Sequence, residues 1–548
     1  MAKVYQTPGV YIEERSAFPN AAVPVATAVP AFIGYTEKAV RDKQSLTNKP
    51  TKISSYGEFL MFFGGAPKTK LTVTSGAEEG RAPYKLSITE AYFTLHSQMK
   101  MFFSNGGTDC YIVSVGGYTK EDGSANTVEI SVLQTGIEPL LKEQEPTMLV
   151  IPEAVNAPMA ANKEDSVKAI YDLYQQMLRH CGQEMRNRFA IMDVWMDREQ
   201  IDAKDYDMRQ DIKWFREGIG SNSLQWGAAY YPWLETTAVA SSEVGILNIF
   251  NLGEAVEVVD FSQAKQFNEQ GEILNRDDFK AAFLTTEVTS LTSLLEKSLN
   301  QEVFDGTVNM ARAQMIKTEL KKITTVTEEG AADLTQTLMA ISPMFKALMS
   351  DLRKELNLLP PSAAMAGIYA MVDDTIGVFQ SPANVSVGSV IKPALSISND
   401  QQEDMNVPID GKAVNAIRSF PGKGVLVWGA RTLDGNSQDW RYISVRRTVI
   451  FIEQSIKFAA EPYVFEPNTA ATWSNIKAML VNFLTNIWQQ GALAGATAED
   501  AFSVNVGLGS TMTPVDILDG FMRISVKVAV TRPAEFIVIT FEQKMRQS

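Results

Sequence analysis

The chain is short of the residues that most often carry chemistry. Among 548 residues there are two histidines, His96 and His180, and two cysteines, Cys110 and Cys181. Two cysteines in no metal-like spacing exclude a disulfide framework and point to synthesis in a reducing compartment. HExxH, CxxC, GxSxG, the GxxxxGK[ST] phosphate loop and the EF-hand loop are all missing. No apolar run reaches the ~20 residues of a membrane span. The opening "MAKVYQTPGVYIEER" lacks the apolar region of a signal peptide. Cationic residues are also the minority, 50 against 64 acidic ones, for a net charge of −14. That balance disfavours nucleic acid or an anionic membrane as the main partner, because both reward Lys/Arg surfaces. There is no tandem repeat and no low-complexity tract.

What remains is an ordinary globular composition, 45% hydrophobic and 21% charged. The length predicts two or three domains of roughly 100–200 residues each. From about 90 to 234 the pattern alternates strand and helix. Ser87-x-x-Glu90 has the form of a capping box, followed by Tyr92, Leu95, Met99 and Phe102 at helical spacing and a stop at Asn105-Gly106-Gly107. Strands are predicted at "CYIVSV" (110–115), "TMLVIP" (147–152), "RFAIMDVW" (188–195) and "GAAYYPWL" (227–234). A helix capped by Asp165 or Ser166 and ended by Gly182 is predicted between the second and third, and another near 205–218 between the third and fourth. This alternation predicts an α/β fold with a parallel sheet and right-handed crossovers. Two helical stretches, "NMARAQMIKTELKKI" and "DLTQTLMAISPMFKALMSDLRKELN", lie in the less legible span 236–350. Beyond Pro360-Pro361, Ser362 is expected to cap a helix of small residues. "GVLVWGARTL" (424–433) reads as a strand, and "YISVRRTVIFIEQSI" (442–456) as a strand or a helix. The stretch 471–490 reads as a helix with Trp473, Ile476, Leu480, Phe483, Leu484 and Ile487 on one stripe.

The two ends differ from this body. Near the start, Pro8-Gly9 makes a turn and Val10, Tyr11, Ile12, Glu13 and Glu14 alternate as a short strand. Pro19, Pro24 and Pro30 then favour an extended arm. Near the end, Ile524, Val526, Val528 and Val530 recur at every second position, with Arg523, Ser525 and Lys527 among them, as a half-buried strand. After Pro533, the run Phe536, Ile537, Val538, Ile539, Thr540 and Phe541 is apolar on both faces, and only seven residues follow it. Such a strand wants burial on both faces, which is unusual for a terminus.

Catalytic material is sparse. Glu153, Asp193 and Asp197 fall at or just past the carboxyl ends of predicted parallel strands, where α/β enzymes place their sites. Carboxylates there can hold a metal or do acid–base work, yet polar residues commonly end strands. Ser362 at a helix start has the setting of a serine nucleophile, but no histidine follows residue 180, so a triad would have to use His180 on an apolar helix face. "NVGLGST" (505–511) lacks the flanks of a dinucleotide fingerprint and reads as a turn.

A set of motifs in order along the chain resembles the tail sheath proteins of contractile phages and phage-tail-like contractile injection systems. They are "YQTPGVYIEE", "VATAVPAFIGYTEKA" (25–39), "SYGEFLMFFGG" (55–65), "FFSNGGTDCYIVSV" (102–115), "AAYYPWL" (228–234), "PPSAAMAGIYAMVDDTIGVFQSPAN" (360–384), "GVLVWGARTL", "YISVRRTVIFIEQSI", "VFEPN" (464–468) and "PAEFIVITFEQ" (533–543). They cover most of the chain except about 66–86, 116–145 and 236–350. The resemblance implies a mixed α/β, multi-domain protein with a middle subtilisin-like domain that lacks the catalysis. It divides the chain into an N-terminal arm (1–30), an outer and middle α/β region (31–355) with irregular insertions near 66–86 and 236–350, a tube-facing sheath domain (356–520) and a C-terminal strand arm (521–548). It implies a structural subunit, not an enzyme, with no cofactor and no metal. Its partners would be further copies of itself in stacked hexameric rings, an inner tube protein, and baseplate and terminal cap proteins, with no nucleic acid and no membrane insertion. The strand segments 10–14 and 536–541 would add to sheets in neighbouring copies, as β-augmentation does elsewhere. The polar face of helix 471–490, with Asn475, Lys477, Asn482 and Gln489, is a candidate tube contact. The expected place is a phage tail or a tail-like injection particle made in the bacterial cytoplasm. Two other classes compete: an α/β hydrolase and a self-assembling structural protein that does not contract.

Overall fold

The computed structural model describes residues 24–76, 82–88, 91–120, 122–160, 162–198, 200–201, 203, 206–253, 273–285 and 287–538. The chain divides into two compact units, one of residues 27–446 and one of 1–26 with 447–548.

The larger unit is built on an eight-stranded sheet. Its strands are β1 (Pro30–Thr36), β2 (Thr51–Ile53), β3 (Cys110–Gly117), β4 (Met148–Val150), β5 (Phe189–Asp193), β6 (Gly227–Tyr231), β7 (Asn415–Phe420) and β8 (Gly424–Val427). Their order across the sheet is β8-β7-β6-β5-β4-β1-β3-β2. The six inner strands run parallel, from Tyr230↔Asn415 at one end to Ala31↔Tyr111 at the other. The outermost pairs, β7 with β8 and β2 with β3, are antiparallel. The central strands β1, β4, β5 and β6 are buried along their whole length, as sheets covered on both faces require. That is why "PAFIGYT" and "GAAYY" read as near-continuous small or apolar runs.

The crossover helices are α1 (Tyr56–Phe63), α2 (Leu95–Ser104), α3 (Lys163–Arg179), α4 (Met208–Gly218) and α5 (Ser362–Thr375). Several start and stop signals differ from the sequence expectation. Ser87 lies in a strand, Tyr84–Ile88, that pairs with Leu71–Ser75, and α2 begins eight positions later. Asn162 caps α3, its side chain accepting from Glu164 N, in place of Asp165 or Ser166. Gly182 does not end that helix: a π-helical turn continues it over His180–Met185, to a left-handed Arg186. The predicted strand 227–234 is broken at Pro232 into β6 and a separate strand Leu234–Thr236. Between 276 and 356 five helices follow one another, and their buried Leu294, Leu320, Leu338 and Phe345 join one core with Phe32, Phe102 and Tyr369.

The smaller unit contains most of α6 (Ile443–Ala460), then α7 (Ala470–Gln489), β9 (Phe502–Val506) and β10 (Ile524–Val528). The ambiguous stretch 442–456 is thus helical. Of the predicted stripe of α7, Ile476, Leu480, Phe483, Leu484 and Ile487 are buried and Trp473 is half-buried, and the ring of Phe451 lies 6.2 Å from that of Phe483. β9 and β10 pair antiparallel, Phe502↔Val528 to Val506↔Ile524, as a sheet of two strands among the described residues.

Candidate functional site

The sheet reverses its winding between β1 and β4. β1 leads outward to β3, while β4 leads the other way to β5. In open α/β folds the crevice at the carboxyl ends of such neighbouring strands is where ligands bind. Here the place is filled. Glu153, three residues past β4, is fully buried, and its Oε2 accepts from Tyr35 N of β1 at 2.7 Å. Its Oε1 accepts from Thr94 N at 2.8 Å and Leu95 N at 2.9 Å, the first turn of α2. Thr94 itself makes no side-chain cap, so a carboxylate 58 residues downstream satisfies donors that a local cap normally takes. Gly34 makes the approach possible: a Cβ there would lie 2.7 Å from Glu153 Oε2. Burial raises the Glu153 carboxyl to about 7 against the pull of its three N–H donors.

Asp193 repeats the device on the next strand. It ends β5, is fully buried, and its Oδ1 accepts from Ser362 N, the first residue of α5, at 2.7 Å. Ser362 therefore does not cap the helix; Pro361 holds the cap position without a side-chain bond, and Asp193 supplies the acceptor. Burial raises Asp193 to about 7, opposed by Ser362. A third buried carboxylate, Asp211 on α4, accepts from Tyr206 Oη and from Tyr231 Oη (3.1 Å) at the end of β6, and burial raises it to about 7 as well. Asp197 sits apart, in an ion pair with Lys163 at 2.5 Å. The histidines are engaged elsewhere. His96 Nε2 meets Tyr56 Oη at 2.8 Å; His180 Nε2 accepts from Arg188 Nη1 at 2.8 Å and Nδ1 faces Glu184 at 3.2 Å. Burial, with Lys100 beside it, lowers His96 to about 4; burial and Arg188 lower His180 in the same direction. Cys110 and Cys181 are buried, with thiols raised by burial. The carboxyl edge of the sheet thus spends its acidic groups on holding helix starts and tyrosines. Sequence reasoning found Glu153 and Asp193 by their position after strands, and missed Asp211, whose spacing carries no signal.

The surfaces expected to meet partners are different in kind. Asn475, Lys477, Asn482 and Gln489 are all exposed on α7. Lys477 is the one charged residue of that 20-residue helix. Phe536, Ile537 and Val538 are 70–88% exposed and paired in no strand among the described residues. Val10, Tyr11, Ile12, Glu13 and Glu14, and Ile539, Thr540 and Phe541, lie outside the described residues.

Residues 436–544 match the family model of the phage tail sheath C-terminal domain. Among curated proteins, the tail sheath protein of Vibrio phage KVP40 is 24% identical over 184 residues, 33% of this chain and 26% of the relative. The tail sheath protein of Salmonella phage ViI is 25% identical over 138 residues, 25% of this chain and 21% of the relative. The aligned segments thus span about a quarter of those relatives or less. Solved structures match over nearly the full length. The sheath complex of an extracellular contractile injection system, PVC, in its contracted state gives a TM-score of 0.54 at 24% identity, covering 99% of both chains. The baseplate of the anti-feeding prophage (AFP) in its contracted state gives 0.56 at 22%, covering 99% of this chain and 100% of that one. Residues 436–544 are thus similar to the phage tail sheath C-terminal domain, and the chain as a whole shares the fold of the contractile sheath chains it matches.

Proposed function

We propose that this chain is a structural subunit of a contractile sheath, assembling with further copies of itself around an inner tube and joined to a baseplate. The observation that carries the reading is the pairing of a sheath-type fold, matched over 99% of this chain, with a sheet edge whose acidic residues are occupied in holding the structure. The sheath-domain match at 436–544 supports it. In the AFP and PVC particles the similar chains occur in contracted sheaths and baseplates.

The links between copies are the two arms. A two-stranded sheet needs a packed helix or further strands for stability; β9 packs on α7, while β10 is only half-buried. Added strands from other copies, 10–14 and 536–541, stabilise it by main-chain hydrogen bonds. The exposed Phe536–Val538 supports this, because such a strand is otherwise an aggregation hazard. We further propose that the subunits stack as hexameric rings, and that contraction needs no nucleotide because the extended state is metastable and closer packing of subunit bodies drives the change. The face of α7 with Asn475, Lys477, Asn482 and Gln489 meets the tube through a few polar contacts, weak enough to break on firing. Negative-stain electron microscopy of the purified full chain tests the reading. Open hollow tubes are expected; discrete monomers with hydrolase activity would overturn it.

A further inference from the structure

Among the exposed apolar groups of the described residues, two surfaces stand out, one on each unit. On the smaller unit, Val464 and Phe465 stand in the loop before α7, and Leu518 and Phe521 in the segment before β10; all four are exposed. Asn468 Nδ2 donates to Phe521 O at 3.0 Å, which stitches the two segments together. Phe465 is fully exposed and holds a φ of 73°, a left-handed conformation that bulky residues rarely adopt. Backbone strain that turns an aromatic ring into water persists where the ring has a use. The rim of this surface is acidic on balance: Glu461, Glu466 and Asp519 are exposed there, against one cation, Arg523, which lies 5.3 Å from the Phe521 ring and pairs with Asp516. On the larger unit, Val40 on the hairpin Val40–Ser45 and Leu60 and Met61 on α1 are exposed. The Arg41 guanidinium lies 5.0 Å from the Phe62 ring and Lys38 N donates to Phe63 O at 3.1 Å, so the hairpin lies along α1. Residues 37–49 carry Lys38, Arg41, Lys43 and Lys49 against two acids, Asp42 and Glu37, the latter accepting from Gly65 N just past the end of α1, in a chain whose net charge is −14.

We propose that these two surfaces meet between copies of this chain, the Phe465 surface of one copy on the Met61 surface of a second. This rests on the sheath reading above. The occupant is a second copy for two reasons. The charges of the two rims are opposite, so each surface suits the other and repels its own kind. The Phe465 surface also runs through Arg523 directly into β10, so a copy that adds a strand there has its body beside Phe521. Because the two surfaces differ, the contact is heterologous and repeats from copy to copy, the geometry that builds rings and helical polymers. Apolar centres with charged rims are the usual anatomy of such contacts.

The test uses full-length protein without tube protein, read by pelleting and negative-stain microscopy, with thermal melting as a check on folding. Phe465→Ser is expected to lower the polymer fraction at least about tenfold, as loss of an interface anchor does; Leu518→Ser is the second variant should the first melt early. Glu461→Lys with Glu466→Lys is expected to do the same, and Arg41→Glu with Lys43→Glu added to that chain to restore tubes. Wild-type-like tubes from both serine variants, or a charge reversal that the second reversal does not rescue, would overturn the contact while the sheath reading stands. If wild-type protein forms no tubes at all, the sheath reading falls and the contact with it.

Discussion

Glu153→Gln is the sharpest perturbation of the sheet's carboxyl edge, because it changes one atom and one charge. In the native site three backbone N–H groups converge on one carboxylate, at 2.7, 2.8 and 2.9 Å. A glutamine can keep its amide oxygen on Thr94 N and Leu95 N. Its NH2 group then faces Tyr35 N, donor against donor. One buried donor left unmade costs about 1–3 kcal/mol, which is roughly 5- to 150-fold in a local opening equilibrium. Glu153→Ala leaves all three unmade, about 3–9 kcal/mol before relaxation, comparable with the whole stability of a domain at about 5–15 kcal/mol. Amide hydrogen exchange reads this directly: in Glu153→Gln the Tyr35 amide is expected to lose protection while those of Thr94 and Leu95 largely keep theirs. Gly34→Ala, which drives a Cβ to 2.7 Å from Oε2, should loosen all three. Unchanged protection in both variants would show that the carboxylate does not hold the β1–α2 junction, and the switch point would again be open to a ligand.

Glu153 and Asp193 also set a pH dependence. Both carboxyls bind protons more tightly folded than unfolded, so the stability they contribute is fully present below about 4 and is lost as the pH rises through about 7. Urea unfolding of unit 27–446 should show higher stability near pH 5.5 than near pH 8.5, and Asp193→Asn, which keeps an acceptor for Ser362 N, should flatten that slope; a slope of opposite sign would refute the assignment. Deleting 535–548 or 1–16 should leave the melting temperature of the body nearly unchanged and remove long polymers, as sedimentation would show; unfolding instead would place those strands within their own subunit. Lys477→Glu should weaken tube-templated assembly, most at low salt, and assembly unaltered at every salt concentration would remove α7 as the tube contact.

The parts of the fold that were legible in the sequence are those where burial on both faces writes a continuous apolar run. The strands at 110–115, 147–152 and 188–195 are of this kind, the helix at 471–490 is legible instead from its one-sided apolar stripe at helical spacing, and the mixed α/β class follows from their alternation. Helix starts were not legible where the cap comes from far away. Ser87 and Ser362 looked like local caps, while the actual acceptors, Glu153 and Asp193, are 58 and 169 residues distant. Sequence position placed those two carboxylates at strand ends, but their use depends on which helix start the sheet order brings to each. Gly182 looked like a stop, and the π-helical turn at His180–Met185 shows that tertiary packing outweighs a single glycine. The exposed Phe465 carried no periodic signal, because its conformation is a property of one residue in a loop.

The central claim is that this chain works by being joined, strand by strand, to other copies of itself. A cryo-EM reconstruction of the polymer formed by the purified chain tests it most directly. The account predicts that the two-stranded sheet of β9 and β10 gains strands in the polymer, with Phe536–Phe541 of one copy and Val10–Glu14 of another running along its edges. A polymer in which both segments pair only within their own chain, or leave that sheet at two strands, would contradict it.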